Sequence, residues 1–199
     1  MNLLILFFGY LFGSFPSGYL AGRIAKGIDI RSLGSGSTGA TNVLRHIGKR
    51  AAITVFLLDV FKGVIPILLA RDYFELTDSW QVAIGISSLI GHIWPVWLNW
   101  RGGKAVATGL GIFLGLSWQV GLATLGVFIL ILTLFRMVSL ASVSASLALP
   151  LIMFMSFDNS SISIPFLVIS LLAMTLVIWR HRGNIIRIVK GEEPRIGQK

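Results

Sequence analysis

The chain has 199 residues, of which 55% are hydrophobic and only 13% charged, and its formal net charge is +9. This composition excludes an ordinary soluble domain and predicts an integral membrane protein in contact with a lipid bilayer. In a membrane protein the position of the basic residues matters more than their sum, so the charge does not indicate a nucleic-acid partner. Cysteine is absent, which excludes disulfides, thiolate metal sites and a cysteine nucleophile.

Apolar segments of membrane-spanning length recur along the whole chain. In chain order they are 2–22, 51–70, 80–98, 105–116, 118–135, 138–156 and 163–179. They predict an all-α fold, a polytopic helical bundle in the membrane, organised as a single domain over residues 1–199. The fourth segment is short against the roughly 20 residues that cross a bilayer, so we expect it to be tilted, shielded by protein or a half-helix.

The connections between these segments alternate in charge. Basic residues follow the first, third and fifth segments and fill the C-terminal tail: Arg23, Lys26, Arg31, Arg45, Lys49, Arg50, Arg101, Lys104, Arg136 and those from Arg180 to Lys199. The positive-inside rule places these connections in the cytoplasm, with the N-terminus outside and the C-terminus inside. Seven crossings satisfy this orientation, whereas one long helix over 105–135 would put the basic tail outside.

The stretch 34–39, GSGSTG, matches the G-x-G-x-x-G motif of dinucleotide-binding sites, and Asp59 lies twenty residues after it. No buried strand precedes it, so a dinucleotide site is excluded. The loop instead runs into a helical turn, NVLRHI, and offers backbone N–H groups and a positive helix end to an anion. Arg45 lies one turn after Thr41 and can pair with a phosphate, the alternative being a flexible hairpin bound to lipid headgroups.

Asp59 and Lys62 are charged residues inside the second apolar segment, at i and i+3. Each charge alone would cost roughly 2.5–3.5 kcal/mol at the bilayer centre, so we expect the two to pair. A structural ion pair is the plainer interpretation, and a role in a functional site is the alternative.

A second glycine-rich loop lies in GHIWPVWLNWRGGKAVATG, where Gly102, Gly103 and Lys104 lead into a predicted helix. Paired glycines let backbone N–H groups approach an oxyanion, and the lysine adds a mobile positive charge. We therefore predict a second anion site here. His92 is expected to be a hydrogen-bonded helix residue rather than a base.

Two later stretches carry polar residues at the same predicted cytoplasmic level. In RMVSLAS, Ser139 and Ser142 are expected to cap a helix, and Ser142 is also a candidate phosphate ligand. In the tail, His181 and Asn184 are one turn apart and can face a cytoplasmic site together. None of the three histidines begins the H-x-x-x-x-D motif common in glycerolipid acyltransferases that use acyl-CoA or acyl-carrier protein.

Taken in order, the motifs of this chain resemble those of the bacterial acyl-phosphate:glycerol-3-phosphate acyltransferases, the PlsY family. The likeness covers nearly the whole chain and is carried by GSFPSGYLAGR, DIRSLGSGSTGATNVLR, LDVFKG, GHIWPVWLNWRGGKAVAT, RMVSLAS and RHRGNIIRIVKGEEPR. One departure is Ala105, where a glycine is expected after Gly-Gly-Lys.

The resemblance implies transfer of a fatty acyl group from acyl phosphate to the sn-1 hydroxyl of glycerol 3-phosphate, in the cytoplasmic (inner) membrane of a bacterium and on its cytoplasmic side. It implies no metal and no other cofactor, and the oligomeric state stays open, a monomer included. The residues that match the catalytic positions are Ser35, Arg45, Lys104, His181 and Asn184, and Glu193 matches a structural glutamate. The candidate phosphate-binding residues are Gly36, Ser37, Gly39, Thr41, Gly102, Gly103 and Ser142.

The residues fit this chemistry independently, because two phosphorylated substrates need two anion sites. An acyl phosphate has a good leaving group, so positioning and charge neutralisation can suffice without a covalent enzyme intermediate. The base is either His181 or a phosphate oxygen of a bound substrate, and the loop that binds each phosphate stays open.

A transporter for a phosphorylated metabolite is the main alternative, but it predicts inverted repeats and polar sites at the midplane. A scaffold protein that binds anionic lipid through its basic loops is the other.

Overall fold

The fold of the computed structural model is built from helices, and the structure describes residues 2–156 and 163–198. No strand occurs within those ranges. The helices are α1 (Asn2–Gly13), α2 (Ser17–Lys26), α3 (Ala40–His46), α4 (Lys49–Leu68), α5 (Asp78–Ile93), α6 (Val106–Leu116), α7 (Trp118–Phe135), α8 (Val138–Met155), α9 (Ile164–Arg180) and α10 (Arg182–Val189). The all-helical prediction is therefore confirmed for the part of the chain that the structure describes.

One predicted segment is divided in the structure, and one predicted division is confirmed, each for a local reason. The first apolar segment is broken between α1 and α2 at Pro16, which has no N–H to continue a helix. The stretch 105–135 is two helices, as predicted, because α6 ends at Leu116 and Ser117 adopts an extended backbone before α7. The short helical turn after GSGSTG is α3, and Gly48, with φ 135°, separates it from α4.

Among the described residues, five helical stretches are long and apolar enough to cross a membrane: Leu3–Lys26, Lys49–Tyr73, Asp78–Leu98, Trp118–Phe135 and Val138–Met155. The pair α9 and α10, bent by 62° between Arg180 and Arg182, makes a sixth if it is counted as one span. Helix α6 is apolar but shorter. The chain is thus a helical membrane protein, while the seven crossings and the orientation of the termini stay predictions.

The chain divides into two compact units, Met1–Leu116 and Ser117–Lys199. In the first, α1 packs on α5 and α4 packs on α6. Both contacts are close because glycines face a neighbouring backbone: a Cβ at Gly13 would overlap the carbonyl of Ser88, and one at Gly63 would overlap that of Thr108. Small residues at such crossings let membrane helices approach closely and gain van der Waals contact. The prediction of one domain stays a prediction.

A proline inside α4 is compensated by its neighbour. Pro66 has no N–H to donate to the carbonyl of Lys62, four residues earlier. The hydroxyl of Ser88 on α5 donates to that carbonyl at 2.7 Å. A lipid environment provides no water for an unpaired backbone group, so this bond fixes α5 against α4 at the level of Lys62.

In the second unit, α7 packs on α8 and α8 packs on α9, while α10 contacts both α8 and α9. The last residues return to the start of α8, where the N–H of Ile196 donates to the carbonyl of Arg136 at 2.7 Å. The C-terminal tail is therefore held against its own unit.

Candidate functional site

The GSGSTG loop lies between a single 3₁₀ turn at Ile30–Ser32 and α3. Gly34 and Gly36 have φ angles of 55° and 66°, a left-handed conformation that glycine adopts without the steric penalty of a Cβ. This curvature leaves residues 34–36 exposed and turns Ser37 and Thr38 inward. The loop is thus a shaped turn with an exposed tip.

Asn42 on α3 holds this loop in shape. Its side-chain nitrogen donates to the carbonyls of Ile30, Leu33 and Ser37 at 2.9–3.0 Å, and its side-chain oxygen accepts from the N–H of Ser35 at 3.4 Å. The residue is 2% exposed. Asn42 is not among the residues predicted from the sequence, although an asparagine after a glycine-rich turn is a residue type that binds nearby backbone groups.

The predicted ligands of the first loop lie on the loop and on the following helix. Ser35 and Arg45 are exposed, and Thr41 is half-buried. Because Thr41 and Arg45 are separated by one turn of α3, they share a face of that helix. The hydroxyl of Ser37 accepts the N–H of Gly39 at 3.3 Å, so part of this serine's hydrogen-bonding capacity is used within the loop.

The second loop uses its glycines differently from the sequence-based prediction. The N–H groups of Gly102 and Gly103 donate to the carbonyls of Ile93 and His92, both at 3.1 Å, so these donors are bound within the loop. A Cβ at Gly102 would overlap the carbonyl of His92, and one at Gly103 would overlap the imidazole Nε2 of His92. The expected role of these two N–H groups as anion donors is therefore wrong in this structure, and the glycines serve close packing on α5. Lys104, half-buried, follows immediately.

Ala105, where the resemblance leads us to expect a glycine, adopts a left-handed backbone conformation with φ 59°. A residue with a Cβ is strained there, by about 1–2 kcal/mol for the left-handed region. The glycine expected at this position would relieve that strain.

Asp59 and Lys62 form the predicted ion pair, with the lysine Nζ 2.6 Å from the carboxylate Oδ1. Ser17 at the start of α2 donates to the same Oδ1 at 2.5 Å, and the lysine also donates to the Ser17 hydroxyl at 3.0 Å. His92 lies on the other side, its Nδ1 3.9 Å from Oδ1 and 3.0 Å from the hydroxyl of Thr108. All of these residues are buried. Ser17 and Thr108 were not anticipated, because their partners are remote in sequence.

In the second unit, Glu193 is the centre of a hydrogen-bonded group. Its Oε1 accepts from Ser139 and Asn184, both at 2.7 Å, and its Oε2 accepts from the Arg187 guanidinium at 2.8 Å. Burial alone would raise the pKa of the Glu193 carboxyl, but the bonds from Ser139, Asn184 and Arg187 outweigh it, so the pKa lies below its ordinary value. Glu193 thereby fixes the side chain of Asn184.

The prediction that Ser139 caps α8 is wrong, because its hydroxyl is bonded to Glu193 and no side chain caps the start of this helix. Ser142 does not cap it either, since its hydroxyl donates to the carbonyl of Val138 one turn earlier.

His181 is buried at the junction of α9 and α10. Its Nδ1 lies 2.8 Å from the carbonyl of Val177. A carbonyl only accepts, so Nδ1 carries a proton, and in the neutral form of the ring Nε2 is then the acceptor nitrogen. The predicted catalytic residues are thus divided between the two units, with Ser35, Arg45 and Lys104 in the first and His181 and Asn184 in the second.

Comparison with known proteins finds similarity to glycerol-3-phosphate acyltransferases over nearly the whole length of the chain. A model of the family described as glycerol-3-phosphate acyltransferase matches residues 3–191. A glycerol-3-phosphate acyltransferase of Prochlorococcus marinus strain NATL2A is 85% identical over 198 residues, covering 100% of both chains. Another, from Prochlorococcus marinus strain SARG, is 60% identical and covers 98% of this chain and 95% of its own length.

Two crystal structures of PlsY (YgiH), an integral membrane glycerol 3-phosphate acyltransferase, have similar folds. The glycerol 3-phosphate form superposes with a TM-score of 0.92 at 38% identity, covering 98% of this chain and 96% of that one. The lysophosphatidic acid form superposes with a TM-score of 0.89 at 37% identity, covering 98% and 95%.

Proposed function

The chain belongs to the glycerol-3-phosphate acyltransferase family, and on this premise we propose that it transfers a fatty acyl group from acyl phosphate to the sn-1 hydroxyl of glycerol 3-phosphate. The hydroxyl oxygen forms an ester bond with the acyl carbon, the bond from that carbon to the phosphate oxygen breaks, and lysophosphatidic acid and inorganic phosphate are the products. The observation that carries the proposal is the presence, in one unit, of two glycine-rich loops that each place a basic residue beside them, Arg45 and Lys104.

The two phosphates set the chemistry of the site. The arginine offers a planar, two-pronged donor and the lysine a mobile charge, a combination that neutralises phosphate oxygens as the leaving group departs. Ser35 at the exposed tip of the first loop adds a hydroxyl. The phosphate contacts are assigned to the first loop at Gly36, Ser37, Gly39 and Thr41. In the second unit they are assigned to Ser142, whose hydroxyl turns from the Val138 carbonyl to the phosphate when substrate binds. Gly102 and Gly103 act by letting the second loop pack on α5, and Lys104 makes the charged contact of this loop with a phosphate.

Residues of the second unit serve the attacking hydroxyl. With its proton on Nδ1, His181 has the acceptor nitrogen that a general base needs, while a phosphate oxygen of a bound substrate is the other possible acceptor. Asn184 is oriented by Glu193 and orients the glycerol moiety in turn. We assign no metal and no cofactor to this site.

The same proposal includes the membrane topology. Seven crossings, with the short α6 as the fourth, put both glycine-rich loops and the C-terminal tail in the cytoplasm and the N-terminus outside. The enzyme then works as one functional domain on the cytoplasmic side of a bacterial inner membrane. The absence of cysteine allows single-cysteine labelling, in which Arg195→Cys should react only from the cytoplasmic side and Glu75→Cys only from outside.

The donor comparison tests the reaction. Purified protein in detergent or lipid should form lysophosphatidic acid from acyl phosphate and glycerol 3-phosphate with no metal added, and should form none from acyl-CoA. Activity with acyl-CoA and none with acyl phosphate would reject the donor.

Two alanine variants test the site. Arg45→Ala and Lys104→Ala should each lower kcat by about 10²–10³-fold, the usual cost of one group that stabilises transition-state charge. Arg50→Ala and Arg101→Ala are the matched controls, because both are exposed basic residues of the same connections. Near-normal turnover in either site variant would remove that residue from the site.

A further inference from the structure

The two glycine-rich loops are attached to opposite ends of one buried polar cluster. At one end, Gly18 packs so closely on the first loop that a Cβ there would overlap the carbonyl of Thr38, and the preceding residue is Ser17. At the other end, the carbonyl of His92 accepts the N–H of Gly103, and its ring leaves no room for a Cβ on that glycine. His92 therefore contacts the second loop directly, and Ser17 is next to Gly18, which contacts the first loop.

Asp59 on α4 joins these ends. Its Oδ1 lies 2.5 Å from the hydroxyl of Ser17 and 3.9 Å from Nδ1 of His92, and it is neutralised by Lys62 at 2.6 Å. The hydroxyl of Thr108 on α6 holds the same imidazole nitrogen at 3.0 Å. The first loop is thus connected to the second through buried side chains, by hydrogen bonds at Ser17 and Thr108 and by a 3.9 Å approach of Asp59 to His92 that is longer than a hydrogen bond.

Stability alone is a poor reason for such a cluster. Removing two ions from water costs several kcal/mol each, and well-packed apolar residues often replace a buried ion pair with no loss. Charge-assisted hydrogen bonds do, however, fix distances and directions, which apolar packing does less sharply. A displacement of about 1 Å in a site that positions two reactants can lower the rate by about 10²-fold, so the rate depends steeply on the distance between two phosphate loops.

We propose that Ser17, Asp59, Lys62 and His92 are positioning residues that set the distance between the two glycine-rich loops. They touch no substrate and act through the loops. This inference rests on the proposed function, because it assigns a purpose to the distance between two phosphate-binding loops.

Substitutions at Ser17, which is one end, and at Thr108, whose hydroxyl holds His92 at the other end, test the proposal. Ser17→Ala and Thr108→Val each remove one hydroxyl and preserve the shape of the side chain, and each should lower kcat/KM by about tenfold. Ser17→Thr and Thr108→Ser keep the hydroxyl and should restore kcat/KM. If the two hydroxyls belong to one connection, breaking it at either point has the full effect, so kcat/KM of the double variant should also fall by about tenfold. Independent contributions would instead multiply to a loss of about a hundredfold. The matched control is Ser87→Ala, since Ser87 joins α5 to the carbonyl of Leu6 at 2.7 Å in the same unit without reaching either loop. It should lower Tm and leave kcat/KM unchanged.

A measurement without turnover separates this inference from the proposed function. Because the chain has no cysteine, spin labels at Ser35→Cys and Arg101→Cys report the distance between the loops by electron paramagnetic resonance. The distance distribution should be narrow in the doubly labelled protein and broader after Ser17→Ala or Thr108→Val. An unchanged distribution, or a multiplicative loss in the double variant, overturns the inference. If the unlabelled protein is inactive but the distribution broadens as expected, the proposed reaction is rejected and the positioning role is kept.

Discussion

Replacing Lys62 by methionine should destabilise the first unit strongly. The lysine and Asp59 are 5% and 2% exposed and 2.6 Å apart, so at an effective dielectric constant of about 20 their attraction is ~6 kcal/mol. Desolvation of both ions offsets most of that, so the pair contributes little net stability. Lys62→Met removes the attraction but keeps the desolvated carboxylate, whose remaining neutral partner is the hydroxyl of Ser17. We therefore expect a loss of about 3–5 kcal/mol.

Thermal unfolding in detergent, followed by the fluorescence of the six tryptophans, measures this loss. For a chain of this size 1 kcal/mol corresponds to about 2–4 °C, so Tm should fall by roughly 6–20 °C. The control Lys49→Met removes an exposed lysine of the same helix and should change Tm by no more than a degree or two. The double variant Asp59→Leu/Lys62→Met should recover most of the loss, because no buried ion remains unpaired. A single variant as stable as the control, or a double variant as unstable as the single, would refute this reasoning.

Three further predictions concern other parts of the structure. Asn42→Ala removes the side-chain amide that donates to three backbone carbonyls and should cost about 1–3 kcal/mol, seen as a lower Tm together with a lower kcat/KM; an unchanged Tm would show that Asn42 does not hold the first loop in shape. Ala105→Gly relieves the left-handed strain of about 1–2 kcal/mol but makes the unfolded chain more flexible by about 0.4–1 kcal/mol, so Tm should rise slightly, and a fall would show that φ 59° carries no strain. The lowered pKa of Glu193 means that its bonds stabilise the fold above the ordinary pKa of 4.5 and that this contribution is lost as pH falls through the lower folded-state value. The Tm advantage of the parent over Glu193→Gln should therefore shrink as the pH falls below about 4.5, and a constant difference would remove Glu193 as its source.

Much of the site was predictable from residue types and spacing. Arg45 one turn after Thr41, and Lys62 one turn after Asp59, follow from the helical repeat alone. Interactions between remote residues were not predictable in this way. Ser139 was expected to cap its own helix, but its hydroxyl reaches Glu193, 54 residues away. A serine near a helix start can cap its own helix or bond a distant side chain, and only the packing of the tail decides between these two roles.

By itself, the sequence determined that this chain is a helical membrane protein, which parts of it form apolar helices, and which loops carry glycine and positive charge. Hydrophobic length, the helical repeat and backbone breakers act locally, so one sequence suffices to read them. The tertiary structure decided what the glycines do and which groups hold them. Gly102 and Gly103 pack on His92 and donate their N–H groups to carbonyls, and Ser17 joins Asp59 across 42 residues of chain. Close approach of two backbones and a hydrogen bond between helices depend on how the helices cross, and the spacing of residues along one chain does not contain that information.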